Sequence, residues 1–171
     1  MAFILTRFTV FRRFVLARDR PWEKLAFTAL FGAFGIVGTY LGLPVQNAIA
    51  NSRAVFVTTA GLLGGPLVGL GAGLIAGGHR FLIDIHGFTG LACGISTLSE
   101  GVIAGLVYHV RRKRLPDWRV ALATGLLLEI LQMLIILAVA RPFPAAVELV
   151  KVIGLPMIVV NGAGTAIFVL I

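Results

Sequence analysis

Long apolar stretches, interrupted by short clusters of basic residues, are the feature that most restricts how this chain can fold. The clearest stretches cover residues 23–42, 92–110 and 119–140. A helix that crosses a bilayer needs about 20 mainly apolar residues, and each of these stretches has about that length. Because charged residues make up only 13% of the chain and its mean hydropathy is +1.00, the sequence predicts an integral membrane protein.

The positive charge of the chain lies beside the apolar stretches and not in a soluble-looking region. Lysine and arginine concentrate at 7–24 and again at 111–119, and the net charge is +8. Basic residues that flank membrane spans favour the cytoplasmic side. We therefore expect a multi-pass membrane protein with both chain ends in the cytoplasm and no nucleic-acid binding. Residues 1–22 are interpreted as a basic interfacial helix or a shortened first helix, and 23–171 as the membrane domain.

The stretch "SRAVFVTTAGLLGGPLVGLGAGLIAGGHR" at 52–80 decides the topology between the two basic clusters. If both clusters are cytoplasmic, this stretch has to enter the bundle and return. The Gly64-Gly65-Pro66 sequence supplies a turn, because proline starts helices but disrupts their interiors. Short helices are thus predicted at 54–63 and 66–82. The alternative is one long helix with a glycine kink.

With this broken hairpin, the sequence predicts an all-α integral membrane bundle of about six transmembrane helices. After the span at 119–140, the segment "RPFPAA" breaks the chain, and a short amphipathic piece, "AAVELVKVIG", follows. The Gly154-Leu155-Pro156 sequence then predicts a further break, so that the last span is expected at about 155–171.

Two arginines frame the hairpin and are the first candidates for a binding site. If the hairpin folds back, Arg53 and Arg80 lie at the same outer end of the bundle, where their side chains can converge. A guanidinium stays charged and binds a carboxylate through two parallel hydrogen bonds, so the pair suits a small anion. The alternative is that both side chains extend to lipid headgroups.

The segment "TGLACGISTLSEG" at 89–101 opens the next helix at the same end. A helix N-terminus favours an anion, and Cys93, Ser96 and Ser99 add small polar groups there. Cys93 and Ser96 are three residues apart and therefore share a helix face. The simpler alternatives are a buried, inert cysteine and serines that only cap the helix. With one cysteine in the chain, an internal disulfide is excluded.

The other polar residues of the apolar region carry weaker signals. His79, Asp84 and His86 match no zinc-binding spacing, so no metal and no other cofactor is expected, and Asp84 is predicted to pair with an arginine. Three polar residues fall inside the predicted spans: Glu100, Glu129 and Gln132. We interpret them as groups that hydrogen-bond between helices, and the alternative is a path for protons or cations.

Four segments together resemble the 5TM-5TMR_LYT membrane sensor module: "NAIANSRAV", "GGPLVGLGAGLIAGGHR", "GFTGLACGISTLSEG" and "GLPMIVVNGAGTAIF". The resemblance covers about residues 25–171, and the succession of motifs is more specific than any one of them. That module precedes the output domains of sensor histidine kinases of the LytS, YpdA and BtsS type, and of diguanylate cyclases of the YhcK type.

The resemblance implies a receptor of the bacterial inner membrane that is not itself an enzyme and signals to a cytoplasmic histidine kinase of a two-component system. The ligand associated with one branch is pyruvate or a related small carboxylate. Matched by motif, the residues expected to bind it are Arg53, Arg80, Cys93 and Ser96. Residues expected at the pocket wall or behind it are Asn51, His79, Ser99 and Asn161. The implied partners are membrane lipid, a second copy of the chain, and a response regulator reached through an output domain that this chain lacks.

The implied fold is also similar to the membrane S component of energy-coupling-factor vitamin transporters. The alternative function is therefore the substrate-binding membrane subunit of a small-molecule transporter. A third hypothesis is a small proton-coupled carrier that uses Glu100 and Glu129. Flux of the ligand into liposomes separates the carrier from the receptor, because a receptor binds its ligand without moving it.

Overall fold

The computed structural model describes residues 21–46, 48–111 and 116–170, and helices form most of them. In chain order the elements are α1 (Pro21–Tyr40), β1 (Leu43–Val45), β2 (Ala48–Ala50), α2 (Arg53–Gly64), α3 (Pro66–Leu82), α4 (Gly90–Val110), α5 (Trp118–Val139) and α6 (Phe143–Leu170). Within the described ranges, α4, α5 and α6 are long and apolar enough to cross a membrane, and α2 is a shorter apolar helix. The predicted helical membrane domain is confirmed at this level. Of the predicted N-terminal segment, only Pro21 and Trp22 lie among the described residues, and they begin α1.

The chain folds back between α2 and α3, as the glycine and proline residues there predict. Gly65 has a φ of 84°, a conformation that glycine adopts without a steric cost, and Pro66 is the first residue of α3. Gly61 and Gly69 lie against each other, because a Cβ on Gly69 would be 2.9 Å from the Cα of Gly61. Eight residues of a single helix span about 12 Å, so this contact excludes one long kinked helix. The two helices form an antiparallel hairpin.

The hairpin packs on α4 with backbone against backbone. A Cβ on Gly61 would lie 2.5 Å from the carbonyl oxygen of Gly101, and a Cβ on Gly69 would lie 2.0 Å from that same atom. Glycines at these positions therefore let three helices approach one another closely, as small residues do in membrane bundles. Further along α3, Gly77 lies beside Gly94, so α3 and α4 are antiparallel. It follows that Arg53, Arg80 and the start of α4 share one end of the bundle, which we call the arginine end.

The remaining helices alternate in direction around this unit. On α1, Gly32 lies beside Ile75 and Thr28 beside Gly71, so α1 runs parallel to α3 and ends at the arginine end. Glycines 125 and 162 bring α5 and α6 together in antiparallel orientation. Three apolar clusters fill the interior, and their largest members are Phe27, Phe31, Leu62, Leu128, Met133, Ile136, Leu149 and Ile153.

The loop predicted between α1 and the hairpin contains a small antiparallel sheet that the sequence interpretation missed, within a fold that is otherwise helical as predicted. Leu43 pairs with Ala50 and Val45 pairs with Ala48. Both strands have only three residues, which is too short for the alternation of apolar and polar side chains to stand out. The sheet brings the chain back directly to Arg53.

The predicted break at Gly154-Leu155-Pro156 is also wrong, because α6 runs without interruption through Pro156. The segment "AAVELVKVIG" is the first part of this helix and not a separate piece. A proline removes one backbone hydrogen bond, yet membrane helices tolerate it where neighbouring groups compensate. Here Ile153 and Met157 are buried on both sides of the proline, and Gly154 lies close to Met133 of α5. Packing against α5 thus holds the helix together.

Candidate functional site

Arg53 is the first residue of α2, and its side chain is completely buried, with 0% of its surface exposed. Its Nε donates to the hydroxyl of Thr97 on α4 at 2.7 Å, and its Nη1 donates to the hydroxyl of Thr39 on α1 at 3.4 Å. Its Nη2 has no hydrogen-bond partner among the described residues. The guanidinium is thus held between two helices, with one nitrogen left to bind something else.

Arg80 lies in the last turn of α3 and is equally buried, with 0% exposed. Its Nη2 donates to the hydroxyl of Thr89 at 3.1 Å, and its Nη1 lies 2.8 Å from a carboxylate oxygen of Asp84. The predicted pairing of Asp84 with an arginine is therefore confirmed. The Nε of Arg80 has no hydrogen-bond partner within the described part of the chain. Because protein covers both arginines, neither side chain extends to the membrane surface.

Both guanidiniums donate hydrogen bonds to threonines on the same face of the chain at the start of α4. Thr89 and Thr97 are eight residues apart, about 12 Å along a helix, and Cys93 lies midway between them. The amide of Cys93 donates to the carbonyl of Thr89, and the Cys93 carbonyl accepts from the hydroxyl of Thr97 at 2.8 Å. Cys93 itself is buried. The structure therefore places the predicted cysteine between the anchoring points of the two predicted arginines.

The two predicted serines of α4 differ in their surroundings. The hydroxyl of Ser96 is buried, 3.0 Å from the carbonyl of Cys93 and 3.4 Å from the side-chain oxygen of Gln132 on α5. The hydroxyl of Ser99 donates to the carbonyl of Ile95 one turn earlier in its own helix, on a partly exposed face. Ser96 thus lies with the buried polar groups, whereas Ser99 is not among them.

Two residues of the predicted second group, Asn51 and Asn161, lie beside Arg53. The side-chain oxygen of Asn51 accepts from the amide of Arg53 at 3.1 Å, which fixes the start of α2. The amide group of Asn161 on α6 donates to the backbone carbonyl of Asn51 at 3.1 Å and also to Glu129 on α5. Asn161 therefore ties the hairpin to both α5 and α6. His79 is only half-buried, and its Nε2 lies 3.3 Å from the hydroxyl of Tyr40.

The sequence interpretation missed the threonines that hold the arginines. Thr39, Thr89 and Thr97 supply the hydroxyl groups on which the two guanidiniums rest. A signal was present in the segment 89–101, because Thr89, Cys93 and Thr97 recur every four residues and so share a helix face. For Thr39 no local pattern existed, since its role depends on how α1 packs against α2.

Two acidic residues lie deeper in the bundle. Glu129 accepts a hydrogen bond from Asn161, and Gln132 lies near Ser96, so the predicted role between helices is confirmed for these two. Glu100 behaves differently: it is fully buried, and neither of its carboxylate oxygens has a hydrogen-bond partner among the residues described. Its presence therefore needs another explanation.

A groove of about 180 Å³ runs along the outside of the bundle between α3 and α4. It is lined by Gly73, Leu74, Gly77, Gly78, Phe81, Leu91, Gly94, Ile95 and Leu98. This apolar lining offers no charged group to a carboxylate, so the groove is not the anion site. The buried arginines are the better candidates.

The sequence of the chain is similar to those of several known sensor proteins. The chain is 40% identical to the sensor protein LytS of Bacillus subtilis and 39% identical to the sensor histidine kinase BtsS of Escherichia coli, in each case over 98% of its length. It is 37% identical over 91% of its length to the sensor histidine kinase YpdA of Escherichia coli. The chain spans only 31%, 30% and 28% of these relatives, respectively. No solved structure matches it significantly.

The family described as 5TMR of 5TMR-LYT matches residues 8–171, which is nearly the whole sequence. The match and the three relatives support the same assignment independently of the geometry. The chain belongs to the 5TM-5TMR_LYT family of membrane sensor domains.

Proposed function

We propose that this chain is the membrane receptor part of a sensor histidine kinase and that it binds a small extracytoplasmic carboxylate such as pyruvate. The observation that carries the proposal is the pair of fully buried arginines at one end of the bundle, each with a side-chain nitrogen that lacks a partner among the described residues. A buried charge normally needs a partner. Asp84 supplies one for Arg80, whereas Arg53 has only hydroxyl groups.

The ligand carboxylate pairs with the free Nη2 of Arg53 in this proposal, and Arg80 supplies a second positive charge. Arginine suits this task because its planar fork binds a carboxylate through two hydrogen bonds. Cys93 and Ser96 lie between the two anchoring points on α4. In this proposal they contact the rest of the ligand. In this proposal the two arginines bind the charged end of the ligand, and Cys93 and Ser96 bind its other end.

The proposed topology has six crossings, with the arginine end outside the cell and both chain ends in the cytoplasm, and an overall arrangement similar to the S component of energy-coupling-factor transporters. The alternating directions of α1 to α6 support an even number of crossings. Arg111 and Arg119 lie at the ends of α4 and α5 remote from the arginine end, where the positive-inside tendency favours the cytoplasm. The small sheet and Arg53 then face outward.

The signal leaves the bundle through α6 in this proposal. Asn161 of α6 is hydrogen-bonded to Asn51 beside the site, and Gly164 packs against Val55 of α2. A ligand that draws α2 toward α4 therefore also displaces α6, which leads to the output domain. The proposed partners are a second copy of the chain and a response regulator. The ligand shifts the equilibrium only as far as it binds the two states differently.

Isothermal titration of the chain in lipid nanodiscs with pyruvate tests the proposal. We expect saturable binding, and a rise in the unfolding temperature with pyruvate concentration, because a ligand specific for the folded state stabilises it by mass action. Absence of binding by pyruvate and by other small carboxylates contradicts the proposed ligand class. Flux of pyruvate into liposomes that contain only this chain instead supports the transporter or carrier.

Replacing Ser96 by alanine is expected to weaken pyruvate binding by about 1 kcal/mol, the usual net value of one hydrogen bond. The matched control is Ser99→Ala, because the Ser99 hydroxyl donates only to Ile95 within its own helix. Titration of both variants measures the difference. Equal affinities in the two variants would show that the Ser96 hydroxyl does not contact the ligand.

A further inference from the structure

Two buried carboxylates lie at the middle of the bundle, close below the anchor of Arg53. Glu100 is the eleventh residue of the 21-residue α4 and follows Thr97, which holds Arg53, by one turn. Glu129 is the twelfth residue of the 22-residue α5. Both side chains are almost inaccessible, with 0% and 1% exposed. Ionisable groups at this depth of a membrane helix are costly and are usually kept for a function.

These carboxylates lack the donors that a charged pair requires. Neither oxygen of Glu100 has a hydrogen-bond partner among the described residues, and the same holds for Oε2 of Glu129. The other oxygen of Glu129 accepts from Asn161. The Nη2 of Arg53 is also buried, and it also has no hydrogen-bond partner among the described residues. An ionised carboxylate without donors is strongly disfavoured in such surroundings.

The charges that face the pair do not balance if both glutamates are ionised. Thr97, which holds Arg53, precedes Glu100 by one turn of the same helix. Asn161 donates both to Glu129 and to the carbonyl of Asn51, two residues before Arg53, so the two glutamates and the guanidinium belong to one region of the bundle. Arg53 is the one charged residue of α2, and Arg80 of α3 is already paired with Asp84. His79 is half-buried against Tyr40 at the arginine end. Of the other titratable residues of α4, α5 and α6, Cys93 is buried and Tyr108 is half-buried. The remaining four are exposed: His109, Arg119, Glu148 and Lys151.

We propose that Glu100 and Glu129 form a proton-binding site that is coupled to Arg53. In the empty receptor the two glutamates share one proton, so that one negative charge balances the guanidinium, because two carboxylates in one buried site do not both ionise. When a carboxylate ligand pairs with Arg53, it takes over that balancing role. The remaining glutamate then takes up a second proton from water. This second step rests on the proposed function, whereas the first does not.

Infrared spectroscopy of the chain in nanodiscs, labelled with ¹³C in the glutamate carboxyl groups, tests the first step. At neutral pH the wild-type chain is expected to show a band from a protonated, water-shielded glutamic acid. Either Glu100→Gln or Glu129→Gln is expected to abolish this band, because the single remaining carboxylate is balanced by Arg53. Glu148→Gln, which changes an exposed glutamate, is the control and leaves the band unchanged. A wild-type spectrum without the band overturns the shared proton even if the variants fail to fold.

Calorimetric titration with pyruvate in buffers that differ in ionisation enthalpy tests the second step. The buffer dependence of the heat gives the number of protons exchanged, and we expect uptake of about one proton per pyruvate, following proton linkage. Glu100→Gln combined with Glu129→Gln is expected to bind pyruvate without proton uptake. Binding to the wild-type chain without proton uptake overturns the coupling while the receptor function stands. If the infrared band is present but pyruvate does not bind, the proposed proton-binding site stands and the proposed ligand is contradicted.

Discussion

Replacing Arg53 by alanine is expected to abolish pyruvate binding. The guanidinium is fully buried and its Nη2 has no partner among the described residues, so the variant loses the one fully buried positive charge that no described acidic residue pairs directly. Removing one partner of a buried, hydrogen-bonded charge pair costs about 2–5 kcal/mol of binding free energy. This corresponds to a loss of affinity of at least about 30-fold. Isothermal titration in nanodiscs measures it.

The matched control is Arg141→Ala. Arg141 lies at the same end of the bundle, but its side chain is exposed, so its removal tests whether general positive charge is enough. Arg53→Lys adds a second comparison, because it keeps the charge and loses the planar fork, and only partial recovery is expected. Pyruvate affinity that is unchanged in a folded Arg53→Ala protein would remove Arg53 from the site.

Replacing Gly69 by alanine is expected to destabilise the bundle severely. A Cβ at this position would lie 2.0 Å from the carbonyl oxygen of Gly101, which belongs to the backbone of α4 and cannot rotate away. Overpacking in a closely packed interior costs about 1–3 kcal/mol, and the rigid backbone places this case at the upper end. The free energy or the temperature of unfolding in detergent measures the loss.

Gly78→Ala is the control, because it makes the same change in the same helix where no atom lies within 4 Å of the added Cβ. Alanine favours helix over glycine by about 1 kcal/mol, so this variant is expected to be as stable as the original chain or more stable. If both variants unfolded at the same temperature, close approach of α3 to α4 would not be what requires glycine at position 69.

The hairpin was predictable from the sequence because its determinants are local. Gly64, Gly65 and Pro66 disrupt a helix by themselves, and the charge pattern on both sides favours an even number of crossings. The break expected at Pro156 rested on the same local rule and failed. There the outcome depends on packing against α5, which a single sequence does not display.

The candidate site was likewise predictable from the sequence only in part. Arg53, Arg80, Cys93 and Ser96 stand out because charged or small polar residues are unusual in an apolar stretch. Thr39 is brought to the site by another helix, and nothing in its own neighbourhood marks it. The unsatisfied carboxylate of Glu100 became visible only when its surroundings were known, since the absence of a donor is a property of the packed bundle.

The continuity of α6 affects how a small event near the site reaches the far side of the membrane. Its 28 residues form a stiff rod of about 42 Å. A lever of that length, pivoted near its first turns, moves its far tip by about 4 Å for a tilt of about 5°. In the proposed receptor, a slight readjustment around a three-carbon acid would become a displacement comparable with the width of a side chain.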